Sequence, residues 1–201
     1  MPRKIARWTI LVYIAGDNDL SAQALKDLRA MKRGLTSERV RVVVHLDTRR
    51  GRTRRYLLTR HGKLIDDLRH ETENLNSGDV RTLIEFARWG AWIAPAERYM
   101  LVLWGHAQGW DDVDPYERSR TKRALFKPYA RRHDSSFPLA RDDTARDFLS
   151  NADLREGLKR VHDILGKPVD LLGLDVCLMA MIEVLYEIRD HTGLVVASEE
   201  I

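Results

Sequence analysis

Cysteine is almost missing from this sequence, which has a single one, Cys177, among 201 residues. One cysteine excludes an internal disulfide framework, and it cannot by itself supply a thiolate metal site. The histidines include no pair at zinc-ligand spacing, and no Gly-rich phosphate loop follows any apolar run. A Ser-centred nucleophile elbow is missing too. These absences lead us to expect neither a required metal cofactor nor a nucleotide site.

Long hydrophobic runs are also missing, and none approaches the roughly 18 residues that span a bilayer. The first residues, MPRKIARWTILVYIAGD, imitate a signal peptide because basic residues precede an apolar stretch. That stretch is short, and its β-branched residues fit a buried strand better than a secretion signal. We therefore expect a soluble, cytoplasmic protein without a membrane partner.

The charge excess is small, because 34 basic and 30 acidic residues leave a formal net charge of +4. It is concentrated in two stretches, 47–60 and 116–133, and such clusters can attract nucleic acid or acidic partners. Solvated arginines on a hairpin and a loop are the interpretation that we favour. Nucleic acid is therefore not an expected partner.

Apolar periodicity predicts strands that alternate with helices. Continuous apolar runs predict buried strands at 8–15, 40–46, 98–104, 169–175 and 194–198. Periodic apolar residues predict helices at 20–31, 79–93, 152–165 and 177–191. Residues 52–63 suggest a hairpin or an edge extension. This order is typical of a doubly wound, mostly parallel α/β sheet, and the length fits one domain, 1–201.

Several helix ends carry capping signals. Asp19 or Ser21 can cap the first helix, and Ser150 with Asp153 resembles a capping box for the third. Gly166 is expected to end that third helix. The apolar faces predicted for the first two helices are Leu20, Ala24, Leu28 and Met31, and Leu83, Ile84, Ala87 and Trp92.

Between residues 111 and 147 the apolar periodicity stops. The stretch is rich in Arg and Asp, and it is long for a connection inside a compact domain, so we expect a functional or mobile loop. Its DDVD sequence at 111–114 is a conceivable calcium ligand set. It lacks the glycine turn and the closing glutamate of a calcium loop, so the residues give calcium no support.

Polar side chains follow two of the predicted strands, at the sheet edge where ligands collect in this class of fold. His106 lies two residues after the third strand, and Cys177 lies two residues after the fourth. If those strands are neighbours, both side chains open onto the same edge. Cys177 also stands at the predicted start of the fourth helix, where the helix N-terminus and an imidazole would favour a thiolate. Gly105 and Gly109 would leave backbone N–H groups free for an oxyanion.

Each of these residues also has a purely structural interpretation. A lone cysteine between apolar residues is commonly buried and inert, and a lone histidine after a strand is commonly just hydrogen-bonded. Asp175 is able to cap the following helix, and Trp104 and Trp110 are pocket walls or core residues. Spacing alone leaves these alternatives open, because it does not establish that the strands are adjacent.

Six segments together resemble the clostripain family of cysteine peptidases, which are relatives of caspases, gingipains and legumains. The segments are LVYIAGDNDLSAQALKDL, NSGDVRTLIEFARWG, LVLWGHAQGW, DDTARDFLSNADLREGL, LGLDVCLMAMIEVLYEI and VVASEE. The most specific pieces are WGH at 104–106 and DVCLM at 175–179. The resemblance covers nearly the whole chain in the family's order, and it implies a caspase-like, mostly parallel α/β sheet with helices on both faces.

The same resemblance implies a cysteine endopeptidase that cleaves after Arg or Lys, with His106 and Cys177 as the catalytic dyad. Asp175 matches the family's S1 aspartate, and a carboxylate in a narrow pocket pairs well with a guanidinium or ammonium group. Ala107 and Cys177 are the candidates for the oxyanion N–H groups. Ala107 replaces the family's usual glycine, and its methyl group would be a constraint if φ there must be positive.

Members of the family resemble one another in self-processing after a basic residue in the loop that follows the histidine. Residues 111–147 would be that processing and active-site loop, and the candidates for cleavage are Arg118, Arg120, Lys122 and Arg123.

The family pattern continues beyond Ile201, so we expect this chain to lack at least one strand and some specificity loops of the family fold. A second chain that completes the fold is then an expected partner, beside protein or peptide substrates. An alternative of a different class is an inactive caspase-like interaction or regulatory module that binds through an unpaired sheet edge.

Overall fold

A computed structural model describes residues 5–49, 51–58, 64–66, 74–107, 109–110, 116 and 139–200. Strands and helices alternate through most of these residues. In chain order the elements are β1 (Ala6–Gly16), α1 (Ser21–Gly34), β2 (Val40–Thr48), β3 (Arg54–Leu58), β4 (Leu64–Asp66), α2 (Val80–Ile93), β5 (Ala96–Trp104), β6 (Leu139–Asp142), β7 (Asp147–Leu149), α3 (Asn151–Leu165), β8 (Val169–Asp175), α4 (Ile182–Ile188) and β9 (Thr192–Ala197).

Seven strands form one sheet in the order β4-β3-β2-β1-β5-β8-β9. The strands β2, β1, β5, β8 and β9 run parallel, whereas β3 and β4 extend the sheet beyond β2 as antiparallel strands. This arrangement confirms the predicted mostly parallel α/β sheet and its hairpin extension. The strands β6 and β7 form a separate antiparallel hairpin within the stretch that the sequence left without a pattern.

Helices cover both faces of the sheet, as predicted. Residues of α2, α3 and α4 pack on one face around Leu11, Tyr13 and Leu101, which are buried on the strands. On the other face α1 packs its Ala24 and Leu28 against apolar residues of β1 and β2. Burying one such aliphatic or aromatic side chain contributes about 1.5–3 kcal/mol, so the two apolar layers are the main stabilising feature of the fold.

Local capping signals predicted one helix correctly and another wrongly. The capping box of Ser150 and Asp153 is present at α3, and Gly166 ends that helix in the left-handed conformation, with φ 71°. Neither Asp19 nor Ser21 caps α1: the capping position is Leu20, which has no side-chain cap. The capping prediction was wrong because both side chains bind elsewhere, Asp19 to a histidine and Ser21 to the carbonyl oxygen of Gly16.

One residue of the predicted apolar face of α2 points the wrong way. Trp92 is 58% exposed, whereas Phe86 and Trp89 are buried with Leu83 in the core. An α-helix turns about 100° per residue, which puts Trp92 roughly 180° away from Leu83. None of the described helices is both long enough and apolar enough to cross a membrane.

Candidate active site

The two strands that carry the candidate dyad are neighbours. β5 and β8 run parallel with Trp104 opposite Asp175, and the N–H of Gly105 lies 3.5 Å from the carbonyl oxygen of Asp175, to which it donates. His106 and Cys177 each follow two residues beyond that pair. Adjacent parallel strands are about 4.8 Å apart, so the two residues leave the sheet side by side at its carboxyl edge. The condition on which the sequence argument depended is therefore met.

The loops after these two strands also touch. Gly109, in the loop after β5, has φ 74° and packs so closely on the loop after β8 that a methyl group there would overlap Met181 Sδ. The same methyl group would lie 2.9 Å from the carbonyl oxygen of Leu178. Glycine is needed here both for its backbone conformation and for this close approach. The contact holds the histidine loop against the cysteine loop.

Cys177 does not stand at the start of a helix, and that prediction was wrong. The residue after it, Leu178, has φ 58°, an unfavourable conformation for a side chain of this size, and α4 begins only at Ile182. Between Leu178 and Ile182, Met179 is fully buried and anchors the turn in the core. Helix dipoles act within the first turn, so Cys177 lies beyond the reach of the α4 dipole. The thiol itself is free and half-buried.

The backbone around His106 shows which glycine the turn requires. Gly105 has φ 150°, and a Cβ added there would lie 3.0 Å from the carbonyl oxygen of Ala15. Ala107 is buried, and the described residues with positive φ do not include it, so its methyl group meets no conformational constraint. The oxyanion roles of Ala107 and Cys177 stay predictions.

Asp19 is the functional candidate that the sequence argument missed. Its Oδ1 lies 3.0 Å from Nε2 of His106 and 3.4 Å from the guanidinium of Arg141. Partial burial by itself would raise the pKa of Asp19, but the hydrogen bond and charge of His106 outweigh it and lower that pKa. Asp19 follows β1, which lies beside β5 in the sheet. The signal available in the sequence was its position after β1, at the same sheet edge as His106, but its residue type indicated only a helix cap.

We expect Asp19→Asn to lower kcat of any activity that uses His106 by about tenfold, with KM little changed. The carboxylate accepts a hydrogen bond from the imidazole and fixes its orientation, which the amide of asparagine does less firmly. The side chain of Asp19 is 60% exposed, which keeps the expected loss modest. Initial rates of peptide hydrolysis over a range of peptide concentrations separate kcat from KM.

A matched control for that experiment is Asp190→Asn. Asp190 is another exposed carboxylate, 70% accessible and paired with Arg189, beyond the end of α4. A purely structural role for Asp19 would lower Tm and leave kcat of the folded protein unchanged. An unchanged kcat in Asp19→Asn, or an equal loss of kcat in Asp190→Asn, contradicts the positioning role.

Asp175 lies at the mouth of an open groove beside Cys177. The groove has a volume of about 470 Å³, and its walls include Trp104, Val102 and Met31, with a second carboxylate, Asp27, from α1. Partial burial raises the pKa of Asp175, and the nearby charge of Asp27 adds to that effect. Asp175 does not cap α4, whose capping position is Met181. Asp175 is therefore not a helix cap. Of the two roles left open for Trp104, the structure shows a wall of the groove.

Among the described helices, α1 is the one that covers the sheet face with this groove, and it covers that face on one side. α1 packs over β1 and β2, whereas Leu194 and Val196 on the last strand, β9, are 67% and 61% exposed. Met100 and Val102 on β5 line the groove between them. A run of apolar side chains is thus accessible across β5 and β9, next to Asp175.

Two of the predicted features fall partly or wholly outside the described residues. Outside them lie the DDVD sequence at 111–114 and the cleavage candidates Arg118, Arg120, Lys122 and Arg123.

Within the first basic stretch, residues 47–60, Arg55 is 2% exposed, and Arg49 pairs with Asp143 at 3.4 Å.

Comparison with known proteins identifies related sequences and folds. The model of the clostripain family, Peptidase C11, matches residues 12–201. No curated protein matches the sequence. A secreted C11 cysteine protease from Bacteroides thetaiotaomicron, solved with an irreversible peptide inhibitor, is 24% identical, with a TM-score of 0.68 over 93% of this chain and 47% of its own. An inactive zymogen C11 protease from Parabacteroides distasonis is 24% identical, with a TM-score of 0.70 over 100% and 51%.

These structures share the fold of the present chain. The chain spans about half the length of each of them, as the figures of 47% and 51% show. Identities this low support the common architecture, and the match of the family model supports the common ancestry.

Proposed function

Since the chain belongs to the clostripain family of cysteine peptidases, we propose that it is an endopeptidase that cleaves after Arg or Lys. Cys177 is the nucleophile and His106 the general acid and base. The observation that carries this assignment is the pairing of β5 with β8, which brings the two residues to one edge of the sheet with Asp175 beside them.

The chemistry needs only these side chains and water. The Cys177 sulfur attacks the carbonyl carbon of the scissile bond, the C–N bond breaks, and His106 gives its proton to the leaving amine. A water molecule, deprotonated by His106, then attacks the thioester and releases the acid product and the thiolate. Asp19, in contact with His106, would orient the imidazole.

A preference for a basic residue at P1 is supported by the surroundings of Asp175. Asp175 is exposed at the groove, and no described residue donates a hydrogen bond to its carboxylate or pairs with it. A guanidinium or ammonium group would satisfy this carboxylate, whereas a neutral side chain would leave it partly desolvated and unpaired. The carboxylate of Asp27 in the same groove adds to the attraction for a cation.

Self-processing and a completing partner belong to the same proposal. The basic residues within 118–123 follow His106 in the sequence and are themselves suitable P1 residues for an acidic S1 pocket. The exposed apolar side chains of β9 and the groove face would be covered by the remaining part of the family fold, on the same or a second chain. The solved relatives are about twice as long as the part of them that this chain matches, which supports the proposal that further family structure covers these side chains.

The test is hydrolysis of fluorogenic peptides that differ only at P1, with Arg, Lys, Asp or Ala. We expect cleavage of the Arg and Lys peptides, with kcat/KM at least about 10²-fold above the Ala peptide, because the charge pair is made only by a basic P1. The initial rates for the four peptides at one pH give the comparison directly.

Two results would contradict the proposal. A preference for Asp at P1 would overturn the role of Asp175, since two carboxylates would repel each other in the groove. No hydrolysis of any of the four peptides would instead favour the interaction module, for which the exposed face of β9 is the binding surface.

A further inference from the structure

Three buried carboxylates converge at the carboxyl edge of the sheet. Asp17 follows β1, Asp47 lies near the end of β2, and Asp142 ends β6. All three residues are fully buried, and one oxygen from each lies within 4.8 Å of the others. Among the described residues, no lysine or arginine forms an ion pair with any of them. This arrangement places concentrated negative charge where water cannot screen it.

One atom of this group points to a missing ligand. Oδ1 of Asp17 is buried and has no hydrogen-bond partner in the described part of the chain, whereas Oδ2 accepts a hydrogen bond of 3.3 Å from Asn74. Buried carboxylate oxygens are almost always paired, and leaving one unpaired costs the full desolvation penalty of a charged group. Asp17 therefore needs a partner that the described residues do not supply.

The oxygens of the other two carboxylates are held in place by neighbouring groups. Asp47 accepts hydrogen bonds from Ser77 Oγ at 2.7 Å and Thr53 Oγ1 at 3.3 Å. Asp142 accepts from the backbone N–H groups of Ser77 at 2.9 Å and Ala145 at 2.8 Å. Such fixed hydrogen bonds are typical of the groups that orient metal-binding carboxylates.

The spacing fits an oxygen-ligated cation. Two oxygens bound to one Ca²⁺ at about 2.4 Å each are at most about 5 Å apart, and the 4.8 Å limit within this group meets that condition. Mg²⁺ binds oxygen at about 2.1 Å, so it would need the three oxygens within about 4.2 Å of one another. We propose that Asp17, Asp47 and Asp142 bind one hard divalent cation, Ca²⁺ or Mg²⁺, at a structural site.

The cation would join the segments that hold the catalytic histidine. Asp17 is two residues from Asp19, the partner of His106, and the carbonyl oxygen of Asp17 accepts a bond of 2.8 Å from the N–H of Asp143. The alternative way to neutralise the group is protonation, since burial raises the pKa of Asp47 to about 7 and also raises that of Asp142. The experiment below separates a cation from protons.

Terbium luminescence gives a direct readout that does not depend on activity. The Tyr13 hydroxyl donates to the carbonyl oxygen of Ser77 at 2.9 Å, which puts a sensitising ring next to the site. After treatment with EDTA and gel filtration, we expect one equivalent of Tb³⁺ to give saturable emission that Ca²⁺ or Mg²⁺ displaces. We also expect the displacing cation to raise Tm, because it binds the folded state.

Variants locate the site. Asp17→Asn and Asp142→Asn should weaken cation binding at least tenfold, while Asp190→Asn, an exposed carboxylate elsewhere, should bind like the wild type. If Asp17→Asn does not fold, Asp47→Asn takes its place. No saturable emission with no rise in Tm at millimolar Ca²⁺ and Mg²⁺ overturns the proposal, as does unchanged binding in the folded variants.

Discussion

Replacing Cys177 with alanine should reduce kcat/KM for an Arg-P1 peptide by at least about 10⁴-fold, because the thioester route then has no nucleophile. The same replacement should abolish self-cleavage within residues 118–132. The measurements are peptide hydrolysis under identical conditions and the intact mass of the purified protein over time.

A chemical readout checks the same residue independently of turnover. A peptidyl chloromethyl ketone with Arg at P1 should add one equivalent to the wild type at Cys177, and none to Cys177→Ala, by intact mass. Asp190→Asn is the matched control and should hydrolyse the peptide at the wild-type rate. Wild-type rates in Cys177→Ala would show that another group carries the reaction. If the wild type and Cys177→Ala both remain a single band on a denaturing gel, the self-processing proposal is contradicted.

Asp175→Asn should reduce kcat/KM for Arg and Lys peptides by about 10²-fold, since a neutral amide replaces a charge-assisted hydrogen bond to the P1 cation. A peptide with neutral P1 should change less than about threefold, so the specificity ratio collapses. Because burial raises the pKa of Asp175, the wild-type preference for basic P1 should weaken on acidification at a higher pH than for an ordinary aspartate. Rates for paired peptides from pH 4 to 8 measure both effects.

The second carboxylate of the groove supplies the control for Asp175. Asp27 lines the same groove from α1, where Gln23 donates to it at 2.7 Å. If Asp175 makes the direct contact with P1, Asp27→Asn should lower kcat/KM for Arg and Lys peptides by less than about fivefold. Equal losses in the two variants would mean that the general field of the groove, and no single contact, attracts the substrate.

Much of the fold follows from short-range patterns in the sequence. Apolar runs predicted β1, β5 and β8 because a strand buried on both faces has to be apolar at every position. The capping box at Ser150 was predicted correctly because both of its hydrogen bonds join residues only three apart.

The errors arose where distant residues compete with local preferences. Residues 177–181 have a helical composition, but Leu178 adopts φ 58° and its N–H donates to the carbonyl oxygen of Glu200, so the helix starts later. Asp19 is a favourable cap by type, yet His106, 87 residues away, takes its carboxylate. Propensity is a weak preference that such tertiary contacts override.

The sequence by itself determined the alternation of strands and helices, the residue types available for chemistry, and the family to which the chain belongs. Only the tertiary structure decided that β5 and β8 are neighbours, that Asp19 meets His106, and that three separate aspartates share one buried site. The physical reason is that periodicity reports which side of an element is buried, while the partner of that side depends on strand order. Strand order is set by packing among residues far apart in the chain, and no local pattern contains it.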